Sequence, residues 1–379
     1  MILVLFPLIP LLFFHSDLNQ IIIIALTVWV FQTIYIENEW LIHFLVFILF
    51  LSVIFFFLAD KWIQFYVLFE FSLIPIFLII LFFGYQPEKI VAGQYLLLYT
   101  IITSLPLLLY FIKLPIFIYS TPICSGNVLF FVLRAAFMVK TPMYLVHIWL
   151  PKAHVEAPVC GSIVLAGILL KMGSWGLVII TPFTLSGLFS LYISIRLFGS
   201  IYCRLVCLRS WDMKSLIAYR SVVHIRLITY GVFSGYELGL KVAFIIMVAH
   251  GVISPLLFAF RYDIYCSSHS RLINSNKGLL QQPLSVFLLF ILLAVNFGLP
   301  PSLNLWSELL AIYAVIHISY CLVPGIVISL LFAFIYNVYL YVSLTQSKET
   351  FYVVDNLYIF PHVSGIFVGF LLTLRLRHF

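Results

Sequence analysis

Apolar residues in this chain neither alternate nor keep to one helix face. They run in unbroken stretches of about 20 residues, the length of helix that crosses a hydrocarbon layer, between short polar connections. The stretch from Leu41 to Ala59, LIHFLVFILFLSVIFFFLA, is apolar on every face. That pattern suits an embedded helix and excludes the alternating strands of a membrane barrel. Hydropathy predicts about 13 spans. They lie near residues 1–14, 20–36, 41–59, 61–83, 93–113, 127–150, 159–181, 184–207, 213–234, 241–260, 283–314, 321–345 and 356–374. The pattern therefore predicts an all-α polytopic membrane protein. The first span is apolar from Met1, with no basic segment, small-residue cleavage site or Arg-rich presequence, and is expected to be retained.

Composition agrees with this reading. Of 379 residues, 64% are hydrophobic and 9% charged, whereas a soluble domain carries about a quarter charged residues. The net charge of +7 does not point to nucleic acid, because the basic residues are scattered among short loops and form no stripe. They sort by side instead. Counting connections by the span they follow, the even ones hold Lys89, Lys152, Arg209, Lys214, Arg261, Arg271, Lys277 and Lys348. The opposite side has only Lys61, Lys113, Lys241, Arg375 and Arg377. The positive-inside rule then predicts the even connections and the N-terminus on the matrix or cytoplasmic side. Six cysteines, Cys124, Cys160, Cys203, Cys207, Cys266 and Cys321, show no CxxC pairing. Ordinary packing is the expectation for them, with no metal and no disulfide.

The chemistry lies in the charges within spans, each of which costs roughly 2.5 to 3.5 kcal/mol to insert and so invites a functional reading. Glu70 sits in FYVLFEFSLIPIFLIILFF, five residues before Pro75, and Lys140 in FFVLRAAFMVKTPMYLVHIWLP, two residues before Pro142. Lys171 is followed by Gly173 and Gly176, which permit close approach of a neighbour or of water. Glu308 follows a helix-breaking Gly298, Pro300 and Pro301. Between these, His224 and His250 place imidazoles that exchange protons near neutral pH. Breaks at membrane depth are tolerated where freed carbonyls face protein or water, so these charges are expected to line an internal hydrated path.

Each residue also has a plainer reading. Glu70 and Lys140 would serve as a structural salt bridge, and either histidine as a satisfied core residue. His147 and His154 flank a loop and are secondary proton-path candidates, with haem ligation a weak alternative. No phosphate loop, nucleophile elbow, zinc spacing or iron–sulfur spacing is present.

The wording FMVKTPMYLVHIWLPKAHVEAPVCGS (Phe137 to Ser162), followed by VLAGILLKMGSWG, resembles the chain 4 family of mitochondrial NADH:ubiquinone oxidoreductase (respiratory complex I), one of the antiporter-like membrane subunits. FEFSLIPIFLI, YQPEKIVAGQYLLLYT, SLPLLL, DMKSLIAY, MVAHG and LPPSLNLWSELL extend the resemblance over about residues 65 to 310. It implies two inverted-topology repeats, each with a broken helix. Residues 1–60 would be N-terminal helices, 61–181 the first repeat, 182–345 the second, and 346–379 a C-terminal helix.

The resemblance also implies that Glu70, Lys140, Lys171, His224, His250 and Glu308 form a proton-carrying axis driven by electron transfer in other subunits. NAD, FMN, iron–sulfur clusters and ubiquinone would all belong to those subunits, leaving no cofactor and no metal here. Partners would be the other complex I subunits, above all the neighbouring antiporter-like ones, and lipids such as cardiolipin, in the mitochondrial inner membrane. A multi-subunit sodium/proton antiporter is the alternative, and a non-conducting membrane scaffold a further one.

Two departures from the family stand out. The stretch before Glu70 is short, as though one N-terminal helix were absent. Arg134, Arg204, Arg220 and Arg226 fall inside spans where the family has small or apolar residues, often serine. Some of these arginines are expected to be translation artefacts, since several invertebrate mitochondrial codes read AGA and AGG as serine.

Overall fold

The computed structural model describes residues 18–34, 39–112, 118, 124–125, 127–144, 146–181, 184–185, 189–234, 237–278, 282–316, 320–346 and 362–369. The predicted span at 1–14 and most of that at 356–374 lie outside these residues, although 362–369 are helical.

The predicted spans are helices, several of them interrupted. The first are α1 (Leu18–Thr33) and α2 (Trp40–Phe57). The single span expected at 61–83 is two helices, α3 (Trp62–Phe71) and α4 (Leu73–Phe83), which meet at Ser72. Pro75 has no N–H to return to the Phe71 carbonyl, so the ladder loses a rung there. Next come α5 (Lys89–Phe111), α6 (Asn127–Lys140) and a short α7 (Trp149–Glu156), which splits the element predicted at 127–150. α8 (Val159–Val164) passes through a π-helical turn, Leu165–Leu169, into α9 (Leu170–Ile180). α10 (Phe189–Arg209), α11 (Met213–Phe233) and α12 (Glu237–Ser268) follow. Two-residue strands, β1 (Cys124–Ser125) and β2 (Thr184–Leu185), pair in parallel just before α6 and α10.

The element predicted at 283–314 is also double. α13 (Pro283–Phe297) starts with proline at its first turn, where a missing N–H costs nothing, and ends on Gly298 at φ 84°. A short turn containing the cis Pro300–Pro301 peptide leads into α14 (Leu303–Ile316), and α15 (Val323–Thr345) completes the ordered bundle. Among the described residues seven helical stretches are long and apolar enough to cross a membrane, and three shorter apolar helices accompany them.

α9, α11 and α12 form the centre and are buried almost throughout. α5 and α15 lie outside, turning large apolar residues such as Leu98, Ile102, Leu109, Leu331, Phe334 and Ile335 outward. Such a surface is at home against lipid or a neighbouring subunit.

The connections sort into two ends, as their charges predict. Lys214 donates to the carbonyls of Val155 and Ala157, Met213 N–H to Arg271, Ile273 N–H to Trp211, and Gly278 N–H to Ser343. These bonds gather the even connections. At the other end Ile118 N–H reaches Asp60, and β1 pairs with β2.

Close packing of α9 on α6 depends on glycine. A Cβ at Gly173 would stand 3.0 Å from Lys140 Cβ, and one at Gly176 would fall inside the buried Phe137 ring. Gly176→Ala is therefore expected to force that ring aside and cost about 1–3 kcal/mol, the usual range for overpacking. A thermal melt of the purified protein checks it, and an unaltered midpoint would show that α6 and α9 tolerate the extra methyl.

Candidate functional site

The interior carries a line of acids and bases, and most of them are held by a local irregularity in the backbone. At one end, Lys140 is the last residue of α6 and is almost fully buried. Its Nζ donates to the Phe69 carbonyl at 2.6 Å, lies 3.0 Å from the centre of the Phe69 ring, and stands 3.8 Å from Glu70 Oε1. That carbonyl also accepts from the Ser72 hydroxyl at 2.8 Å, so the break between α3 and α4 is what presents it. The ammonium is stabilised by a carbonyl, a π face and a carboxylate together, the combination that lets a buried cation survive.

In the middle, Lys171 lies one residue beyond Leu170, where the π-helical turn gives way to α9. Widening of the turn leaves the Ala166 carbonyl available, and Lys171 Nζ donates to it. The same nitrogen lies 2.8 Å from His250 Nδ1. His250 is on α12, where the Ser254 hydroxyl bonds its carbonyl at 2.7 Å and Pro255 interrupts the ladder just beyond. His224 of α11 stands next to it, ring centres 6.1 Å apart. Nε2 of each ring is buried without a partner.

At the far end, Glu308 lies in the second turn of α14, 8% exposed. Gly298 makes room for its carboxylate, for a Cβ there would stand 3.2 Å from Oε2. The cations beside Glu308 are Arg204 and Arg220. Asn304 donates to the carbonyls of Val295 and Asn296 at 3.0 and 3.3 Å, satisfying groups that the end of α13 leaves open. Asn296 in turn donates to Asn337 at 2.7 Å.

The structure thus joins Glu70 with Lys140 and Lys171 with His250 and His224. It does not join His224 to Glu308 directly, because the Arg220 side chain lies by both. Of the secondary candidates, His154 lies near Lys171 and His250, buried completely and stacked on Phe258 at 4.8 Å with both ring nitrogens unpartnered. His147 is set apart, stacked on Tyr144 and edge-on to Tyr219. Arg134 and Arg196 bracket the Phe233 ring, at 4.7 and 4.6 Å.

Several polar residues escape a span-by-span reading. Lys214 counts as a loop cation in sequence, yet it is 2% exposed and tied to two carbonyls. The hint was its place in a helix first turn, where positive charge opposes the dipole. Next to it the Gln86 amide bridges Glu156 at 2.7 Å and Arg271 at 2.9 Å. Burial pushes the Glu156 carboxyl up, against the pull of Arg271 and Lys214. His362 Nε2 lies 3.4 Å from Asp263 Oδ2, both side chains fully buried. Cys160, Cys203, Cys207, Cys266 and Cys321 form no disulfide, and among the described residues no group of three or more His, Cys, Asp or Glu could hold a metal ion.

Interrupted helices long and apolar enough to cross a membrane, with lysine, histidine and carboxylate buried beside the interruptions, define a polytopic helical class of protein. The family model described as NADH:quinone oxidoreductase/Mrp antiporter, transmembrane, matches residues 59–335. NADH-ubiquinone oxidoreductase chain 4 of Ceratitis capitata is 42% identical over 296 residues, 75% of this chain and 66% of that protein. The chain 4 protein of Lumbricus terrestris is 34% identical over 357 residues, 88% of this chain and 79% of its own length. The fold matches a chain of respiratory complex I from Thermus thermophilus with TM-score 0.83 at 22% identity, covering 94% of this chain and 79% of that one. It matches a chain of the Mrp complex from Dietzia sp. DQ12-45-1b with TM-score 0.82 at 14% identity, covering 95% and 81%. The chain belongs to the NADH:quinone oxidoreductase/Mrp antiporter transmembrane family, alongside the NADH-ubiquinone oxidoreductase chain 4 proteins.

The left-handed turn at Gly298 offers a direct check on how Glu308 is seated. Gly298→Ala is expected to destabilise by about 1–2 kcal/mol, the cost of placing an L side chain in that region. Chemical denaturation of the purified protein measures it. A midpoint equal to that of the parent would mean the turn has another conformation.

Proposed function

We propose that this chain is a proton-translocating membrane-arm subunit of NADH:ubiquinone oxidoreductase in the mitochondrial inner membrane, with its N-terminus on the matrix side. The observation that carries the reading is the buried contact of Lys171 with His250 at 2.8 Å, in an interior that also holds the Glu70–Lys140 ion pair and the recessed Glu308 carboxylate. Two titratable nitrogens at hydrogen-bond distance in an apolar interior hold one proton between them at low cost and two only at high cost. Such a pair is a relay element.

Glu70 and Lys140 set when charge is admitted. While the carboxylate stays close, the ammonium is stabilised; when the two part, the lysine loses its counter-charge and its proton moves inward. Water carries it across the α6–α9 contact to Lys171 and His250, then to His224. Glu308, on the second broken element, is the terminal acceptor and release gate, and His154 links the Lys171 group toward the even connections. Moving a charge against the membrane potential takes about 2.3 kcal/mol per 100 mV, within the range that making or breaking one buried ion pair covers.

Residues 61–181 and 182–345 are assigned as the two repeats. Electron transfer, and the NAD, FMN, iron–sulfur and quinone chemistry behind it, belongs to other subunits. The outward apolar belts of α5 and α15 are assigned to neighbouring antiporter-like subunits and to lipid such as cardiolipin.

A sodium/proton antiporter subunit is the second reading, favoured by the likeness to a chain of the Mrp complex. Co-purification with NADH dehydrogenase activity, and turnover that ignores sodium, would speak against it.

Lys171→Met in the assembled complex is expected to lower NADH-driven acidification of proteoliposomes at least tenfold, equivalent to about 1.4 kcal/mol on a barrier, without loss of assembly on a native gel. Undiminished acidification would sink the relay. Glu308→Asp should retain more pumping than Glu308→Gln, measured the same way; equal rates for parent and both variants would take Glu308 off the path.

A further inference from the structure

Three buried arginines keep guanidinium nitrogens without partners among the described residues. Arg204 on α10, and Arg220 and Arg226 on α11, are 1–2% exposed and lie along the membrane-crossing length of their helices. Nε and Nη2 of Arg204, Nε and Nη2 of Arg220, and all three guanidinium nitrogens of Arg226 are buried without a hydrogen-bond partner. Arg204 is left with the Ser329 carbonyl, pressed against its Nη1. Arg220 has the Tyr336 hydroxyl, and Arg226 lies beside the Cys203 thiol and a distant face of Tyr144 at 5.9 Å. Among the described residues none of the three makes an ion pair within 4.0 Å, and Glu308, whose carboxylate acts on Arg204 and Arg220, would face two guanidinium groups at once.

The contrast with the lysines is informative. Lys140 has a carbonyl, a ring and a carboxylate, Lys171 a carbonyl and an imidazole, and Lys214 two carbonyls. The molecule satisfies its buried lysines and leaves these three guanidinium groups short. Native interiors rarely leave so many buried donors open, and fewer still with a full charge attached.

A fixed positive charge at 220 also conflicts with the setting. It lies one helical turn from His224 on the same face of α11, and beside Glu308. A cation at that point is an electrostatic barrier to any other cation, protons included.

We propose that positions 204, 220 and 226 carry serine in the mature protein. AGA and AGG encode arginine in the standard code and serine in several animal mitochondrial codes, so a gene with those codons at the three positions gives either reading. Serine resolves every conflict. Its hydroxyl bonds back to a carbonyl of the preceding turn, as Ser200, Ser221 and Thr229 on these same helices do at 2.6–2.7 Å. No charge is buried, and Glu308 is released from two neighbouring cations. The volume given up at 220 opens beside His224, the Tyr336 hydroxyl and the Glu308 carboxylate, polar groups enough to hold water. On the proton-path reading above, a hydroxyl and water at 220 supply the link missing between His224 and Glu308.

Tandem mass spectrometry of chymotryptic peptides from the native complex decides the matter. The peptides covering Cys203 to Leu208 and Tyr219 to Tyr230 are expected to show serine at 204, 220 and 226, and trypsin to leave the denatured chain uncut after these positions. Any other residue at any of the three, arginine included, overturns the proposal. Peptide masses do not depend on whether the chain conducts protons, so a normally pumping Lys171→Met complex would remove the relay and leave the residue identities standing.

Discussion

Everything in this molecule follows from the cost of charge in a hydrocarbon slab. A lysine, histidine or glutamate at mid-depth must be given partners by the chain itself, and regular helices have none to spare because each carbonyl already serves its own ladder. The structure meets that demand by spoiling its helices at chosen places. A break at Ser72 presents the Phe69 carbonyl to Lys140, a π-helical turn presents the Ala166 carbonyl to Lys171, and a left-handed glycine opens a seat for Glu308. Where no such irregularity exists, as along α10 and α11 near 204, 220 and 226, buried donors stay open. Charge and backbone defect are one design element.

Much of this was legible in the chain before any coordinates. Uniform apolar runs fixed the helices and their rough limits, and the scatter of basic residues fixed which connections share an end, as the bonds among residues 155, 157, 211, 214 and 271 bear out. Gly298 and the prolines after it announced the interruption before Glu308. The split of the predicted 61–83 span at Ser72 was not drawn, although Pro75 carried the signal, because a hydropathy window averages over a lost rung. The π-helical turn had no signal at all: LAGIL is an unremarkable helical string, and its extra residue is accommodated by packing against α1 and α12. The pairing of Asp263 with His362 joins residues 99 positions apart, a distance over which local pattern is silent.

The resemblance to chain 4 proteins and the shared fold with a Mrp complex chain are two views of one scaffold. What this chain shares with the solved complex I and Mrp complex chains is the fold, and the inner line of polar groups described above is its own. On the proton-path proposal, the part of this chain is electrostatic and rests on helices able to change the distance between Glu70 and Lys140.

The π-helical turn at Leu165–Leu169 carries a mechanical implication. It stores one residue more than the α-helical ladder needs, and were that residue to be drawn into regular α geometry, every side chain beyond it would swing about 100° around the axis. Lys171 lies immediately downstream, so the same turn that now aims its ammonium at His250 would point it toward a different neighbour. One coil of backbone would then act as a swivel, with Gly173 and Gly176 as the smooth bearing surface against α6.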